Sequence, residues 1–274
     1  MISKAKIKFI RALEHKKARR EEGLFVAEGP KVVGDLMKVA SPKIIVATDQ
    51  WLGEQGDVLE NKGIEIIPVC QGELAKVSFL QHPQQVLAVF NRNLSNYGDC
   101  LCNGGVLLPA LQLEERNSLA IALDSVQDPG NLGTIIRIAD WFGIERIYCS
   151  SDTVDAWNPK VVQATMGSMA RVKIIYCNLH DLLDEIESYN SSLSSSGKRF
   201  PVYGTLLDGK DITTQPLENH GLVIMGNEGN GISPDIAARV SHKLLIPNYP
   251  KGRETADSLN VAIATAITCF ALRR

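Results

Sequence analysis

Leu119-Ala120-Ile121-Ala122-Leu123, followed by Asp124-Ser125-Val126-Gln127-Asp128-Pro129-Gly130-Asn131-Leu132-Gly133-Thr134-Ile135-Ile136-Arg137, decides the fold. The first five residues are a short unbroken apolar run, as expected of a strand covered on both faces. A helix then opens. Asp128 is placed to cap it, Pro129 suits its first turn, and Gly143 lies just past its end. Leu132, Ile135, Ile136, Ala139 and Phe142 form its inward stripe, while Gly133, Arg137 and Asp140 share one flank. Two readings of Arg137 stay open at this stage: a ligand-facing cation beside the bare Gly133, or an ion pair with Asp140 three residues on.

The same alternation continues outward. Strands are expected at 119–123, 145–149, 172–176, 201–206, 222–225 and 243–246, with helices near 130–142, 158–169, 179–189, 234–240 and 259–272. Apolar strands separated by helices predict an α/β domain with a parallel sheet. Upstream, Ile44–Ala47, Gly63–Ile67 and Val86–Phe90 read as strands and the stretches between them as helices. Asn91–Gly105 is polar and rich in turn residues. The expected division is a first domain over 1–95, a linker over 96–117 and a second domain over 118–274.

Composition fits a soluble protein with a full core: of 274 residues, 45% are hydrophobic and 22% charged. Six cysteines at 70, 100, 102, 149, 177 and 269 include no C-x-x-C pair, and the lone C-x-C at Cys100 and Cys102 has no companion, so no metal is expected. Reduced thiols in a cytoplasmic protein are the plainer expectation. The basic N-terminus lacks a signal-like apolar run. Val261–Leu272 is too short for a bilayer, which needs roughly 20 residues, so no membrane partner is expected. The Asn93 and Asn190 sequons then carry no meaning inside a cell. The net charge of −2 hides an asymmetry, with +5 on residues 1–22 and −7 on the rest. Lys4, Lys6, Lys8, Arg11, Lys16, Lys17, Arg19 and Arg20 suit phosphate contact, or else a solvated amphipathic helix.

Two further stretches carry candidate chemistry. Val223-Ile224-Met225-Gly226-Asn227-Glu228-Gly229-Asn230-Gly231 places three glycines directly after a buried strand, where α/β proteins bind ligands. It matches neither the dinucleotide nor the phosphate-loop glycine pattern. Leu244-Leu245-Ile246-Pro247 precedes Ser258-Leu259-Asn260-Val261-Ala262, which opens the last helix. Ser258 is its expected cap, with Asn260 in its first turn and Leu259, Ala262, Ile263, Ala266, Ile267 and Phe270 on its apolar face.

In this order, N-x-G-x-x-x-R, M-G-N-E-G, and I-P with S-L-N-V-A resemble the three motifs of the SpoU/TrmH family within the SPOUT methyltransferases. The resemblance covers nearly all of 119–274. Residues 3–90, through Lys6, Lys16-Lys17, Arg19 and Gly23–Gly29, resemble the family's accessory RNA substrate-binding domain, itself similar to a small RNA-binding ribosomal protein. The resemblance implies a deep trefoil knot, a homodimer, and S-adenosylmethionine bound by Gly226, Ile246 and Leu259. It implies polar catalytic positions at Asn131, Arg137, Glu228, Ser258 and Asn260, with a ribose 2′-hydroxyl as the methyl acceptor. Ribosomal RNA is the expected substrate, transfer RNA the alternative, and a non-catalytic RNA-binding protein the rival class. The chain departs from the family at Asn248, where a Met is usual, in a longer loop over 248–257 with Lys251, Arg253 and Glu254, and at Gln163, often Arg.

The chemistry asks for orientation and for help in deprotonating the hydroxyl. Orientation is worth up to roughly 7–11 kcal/mol. Arg137 can serve either as a base in an environment that disfavours its charge, or as a lasting cation that stabilises an alkoxide or grips a phosphate. Asn131, Glu228 and Asn260 would position Arg137 and the ribose.

Overall fold

The computed structural model describes residues 1–59, 63–92, 118–194, 197–250 and 253–274. The expected linker, Cys100, Cys102, the Asn93 sequon and Lys251 lie outside the described residues. The chain forms two compact units, Met1–Asp99 with Asp155–Ala170, and Cys100–Val154 with Arg171–Arg274.

In the first unit, α1 (Lys4–Ala12) and α2 (Lys16–Glu22) precede β1 (Leu24–Glu28), α3 (Pro30–Met37), β2 (Ile44–Ala47), α4 (Asp49–Gln55), β3 (Glu65–Pro68), α5 (Gln71–Val77) and β4 (Val86–Asn91). The sheet order is β1-β4-β2-β3. β4 runs antiparallel to both β1 and β2, and β2 pairs parallel with β3. Leu24–Glu28, which the sequence reading did not assign, is a fully buried strand. Gly23 at φ 65° ends α2 and turns the chain into it. The strand's final residue, Glu28, masks the apolar pattern, yet its carboxylate is buried and accepts the Phe79 N–H at 2.8 Å.

Arg19 also departs from expectation. It is not a free phosphate contact: it is 1% exposed, and its Nε and Nη2 donate to Asp155 Oδ2 at 2.9 and 2.6 Å. Nη1 donates to the carbonyls of Leu13 and Glu14, at 2.9 and 2.6 Å. A planar fork with five donors can close an inter-helix turn and hold a distant carboxylate at once. Lys6 is likewise engaged, with Glu65 at 2.7 Å, and Arg11 donates to the Ser78 carbonyl. Lys4, Lys8, Lys16, Lys17 and Arg20 remain exposed.

Further along the chain follow β5 (Leu119–Leu123), α6 (Pro129–Trp141), β6 (Arg146–Cys149), α7 (Pro159–Ala164), β7 (Lys173–Tyr176), α8 (Leu179–Ser192), β8 (Val202–Asp211), β9 (Gly221–Met225), α9 (Pro234–Ala237), β10 (His242–Leu245) and α10 (Val261–Arg273), of which α7 belongs to the first unit and the rest to the second. The six strands run in the order β10-β8-β9-β5-β6-β7, and every pair is parallel. The expected α/β parallel sheet is therefore present. All six carboxyl ends open on one edge, so loops distant in sequence become neighbours there.

The last helix differs from the reading of its sequence. It starts at Val261, and Asn260, not Ser258, caps it, accepting the N–H groups of Ala262 and Ile263. Its buried residues are Val261, Ala262, Thr265, Thr268, Cys269 and Leu272. Ile263 and Phe270 are 53% and 62% exposed, and Ile267 also faces outward. The two threonines can face inward because their hydroxyls bond to the carbonyls of Val261 and Ala264, at 2.7 and 2.8 Å. On a helix apolar on nearly every side, hydropathy alone picks the wrong stripe.

Candidate active site

The loop after β9 and the start of α6 build one hydrogen-bonded cluster. Gly226 makes the loop possible: a Cβ there would lie 2.1–2.4 Å from the backbone of Gly231 and Ile232. Asn227 and Gly231 pair through their backbones, each N–H to the other's carbonyl at 2.9 Å. The Asn227 side chain accepts the N–H groups of Gly229 and Asn230 and donates to the Ser125 carbonyl at 2.7 Å. Ser125 is left-handed, φ 60°, which is uncommon for a residue with a side chain.

This framework aims Glu228 at the N-terminus of α6. Its carboxylate accepts the Gln127 and Asp128 N–H groups at 3.3 and 3.2 Å and the Asn131 side-chain amide at 3.0 Å. Asn131 is held in turn, its Oδ1 accepting from Asn260 Nδ2 at 2.8 Å. A carboxylate at a helix N-terminus meets free N–H groups and the positive end of the dipole. Partial burial alone would raise the Glu228 pKa, but the bonds from Asn131, from its own backbone, and from Asp128 and Gln127 outweigh it, and the net shift is downward. Glu228 is thus a fixed anion that orients Asn131 and, through it, Asn260.

The structure brings Asn131, Glu228 and Asn260 together from three expected motifs. It does not join Arg137 or Ser258 to them. Arg137 is exposed on α6, and among the described residues it makes no hydrogen bond or ion pair. The alternative pairing with Asp140 falls away, because Asp140 is gripped by Arg171 through Nε at 2.9 and 3.0 Å and Nη2 at 2.7 Å. Ser258 is exposed. Of the expected cofactor residues, Gly226 follows β9 directly, Ile246 follows β10 and is half-buried, and Leu259 is 51% exposed beside the Asn260 cap. Asn248 donates to the Arg253 carbonyl at 3.1 Å and to Thr255 Oγ1 at 3.2 Å, so it ties the longer loop to itself. Asn227 escaped the sequence reading as a site residue, though its place between Gly226 and Glu228 was the available signal.

Comparison with known proteins fits this geometry. Residues 118–270 match the model of the SpoU rRNA Methylase family, and residues 4–88 match the MRM3-like substrate binding domain. The chain is 29% identical over 271 residues to the Bacillus subtilis 23S rRNA (guanosine(2553)-2′-O)-methyltransferase RlmP, covering 98% of this chain and 96% of that one. Among solved structures, an AdoMet-bound rRNA methyltransferase from Sinorhizobium meliloti superposes with a TM-score of 0.82 at 30% identity, covering 100% of this chain and 95% of that one. A TrmH-family structure from Porphyromonas gingivalis gives 0.81 at 34% identity, covering 100% and 98%. With more than half the chain matched, and the three motif residues hydrogen-bonded to one another at the head of α6, the protein belongs to the SpoU rRNA methylase family.

Proposed function

We propose that the protein transfers a methyl group from S-adenosylmethionine to a ribose 2′-hydroxyl of ribosomal RNA. The observation that carries this reading is the Glu228–Asn131–Asn260 chain at the carboxyl edge of a parallel sheet. The match of 271 residues to a ribosomal RNA 2′-O-methyltransferase supports the substrate. Gly226, Ile246 and Leu259 would hold the cofactor: they offer uncharged and apolar surface, with Leu259 half exposed, which suits an adenosine. The bound cofactor supplies an electrophilic methyl group. The chain's own residues orient the acceptor and handle its charge. An ordinary guanidinium stays protonated, so Arg137, exposed and unpaired among the described residues, serves as a cation for a phosphate or a developing alkoxide.

A homodimer belongs to this reading. Ile263, Ile267 and Phe270 form an exposed apolar stripe on α10, and Trp141 on α6 is 86% exposed one turn beyond Arg137. Exposed apolar side chains on two helices that pack together suit an interface, and a second copy covering them would bring Arg137 to the subunit boundary. A trefoil knot formed by the segment after β10, and a first domain akin to a ribosomal RNA-binding protein, complete the proposal. Two measurements test it: calorimetry with S-adenosylmethionine, and mapping of 2′-O-methyl groups placed by the purified protein on unmethylated ribosomal RNA. Absence of both binding and modification overturns the reading.

A further inference from the structure

A cavity of about 440 Å³ opens at the carboxyl ends of β5, β6 and β7, within the second unit. That volume falls among ordinary ligand pockets, roughly 300–1,000 Å³. None of the candidate catalytic or cofactor residues lines it. Its walls are mixed, with the exposed Asn178 and His180 at the rim. Leu179 and Ile236 are buried apolar side chains. Opposed to them in character are two carboxylates, Asp124 and Asp152, with Ser150 among the hydroxyls. Asp124 is only 7% exposed, and its Oδ2 accepts the Ser233 N–H at 2.7 Å. Among the described residues, His180 lines the cavity and no lysine or arginine does.

That chemistry selects its ligand. Carboxylates are pure acceptors and repel phosphate, so Asp124, the buried one, and Asp152 favour an occupant that presents donors beside an apolar body. Among the RNA bases only guanine offers two adjacent donors, N1–H and the 2-amino group, on its Watson–Crick edge. Adenine, cytosine and uracil each place an acceptor next to the donor, facing the anion. Unstacked RNA bases are commonly read on that edge. We infer that this cavity receives a guanine base of the RNA, read by Asp124 and Asp152. The inference rests on the RNA methyltransferase reading above and adds a base-recognition site to it.

Ser125 links the cavity to the cluster. Its N–H donates to Ser150 Oγ at 2.9 Å on the cavity wall, and its carbonyl accepts from Asn227 at 2.7 Å in the framework that aims Glu228. One left-handed residue thus belongs to both sites.

The test titrates guanosine, inosine, adenosine and spermidine into the full-length protein, read by ligand-observed NMR. Guanosine should bind about tenfold or more tightly than inosine, which lacks the 2-amino donor and so loses one of the two contacts. Ser151→Trp, at the exposed rim, should abolish guanosine binding. Asp124→Asn, which keeps an acceptor for the Ser233 N–H, should weaken it about tenfold. Both variants should retain the wild-type melting temperature and affinity for S-adenosylmethionine. Equal binding of guanosine and inosine, unchanged binding in Ser151→Trp, or stronger binding of spermidine than of guanosine would overturn the inference. A wild type that binds guanosine selectively but methylates no RNA would overturn the proposed function and leave the cavity assignment standing.

Discussion

The two sheets handle polar groups in opposite ways. In the four-stranded sheet the strand directions are mixed, so connecting loops leave from both edges. Buried charges in its unit are satisfied by protein partners: Arg19 by Asp155, and Glu28 by Ser78 and Phe79. In the six-stranded sheet every pair is parallel, and Asp124, Ser150, Asn178, Gly226 and Ile246 all follow strand ends on the same edge. There, polar side chains meet one another and leave a cavity and a fixed carboxylate, while Arg137 on α6 has no partner among the described residues. A mixed sheet stores its polar groups in structure, whereas a parallel one collects them where a ligand can reach.

Substitutions can break that contrast. The largest effect is expected from Arg19→Ala, which strands the Asp155 carboxylate in the interior. Removing one partner of a buried pair costs about 3–5 kcal/mol. Chemical denaturation of the intact chain would read this loss, and a cost below about 1 kcal/mol would return Arg19 to the class of surface cations. Next comes Arg137→Ala, with a fall of about 10²–10³-fold in methyl transfer and little change in stability, since no described partner is removed. Arg137→Lys sharpens it: if charge suffices, much activity returns, and if the planar fork is needed, lysine is nearly as inactive as alanine. Full activity of Arg137→Ala on its true RNA would remove Arg137 from the mechanism. The smallest effect on stability, within about 0.5 kcal/mol, is expected from replacing Lys16, Lys17 and Arg20 together with alanine. Their signature is instead a flatter salt dependence of RNA binding, by roughly 0.7 for each single-strand phosphate no longer neutralised. An unchanged slope would mark them as a solvated face.

The contrast also explains what could be read in advance. Short apolar runs between helices announce a parallel sheet because both faces must be covered, and the Asp128-Pro129 start of α6 is local chemistry. The motif residues Asn131, Glu228 and Asn260 were legible because each stands at the head of a helix or just past a strand. The strand Leu24–Glu28 was hidden because its last residue is a carboxylate whose burial depends on Ser78 and Phe79, some 50 residues on. The capping of α10 passed from Ser258 to Asn260 because Asn260 can accept two N–H groups while donating to Asn131.

By itself, the sequence determined the elements that local chemistry fixes: apolar runs, helix starts, glycines where a chain must pass close. Gly226 is the clearest instance, since no side chain fits against Gly231 and Ile232. Only the tertiary structure decided which charges are used up and which stay available. Arg19 and Arg137 are the same residue type, each on a helix. Asp155, 136 residues from Arg19, arrives to bury and neutralise it. Arg171, arriving at Asp140, takes away the one acid that local spacing offered Arg137. Charge pairing depends on distances of a few ångströms between segments far apart in the chain, which no local pattern encodes.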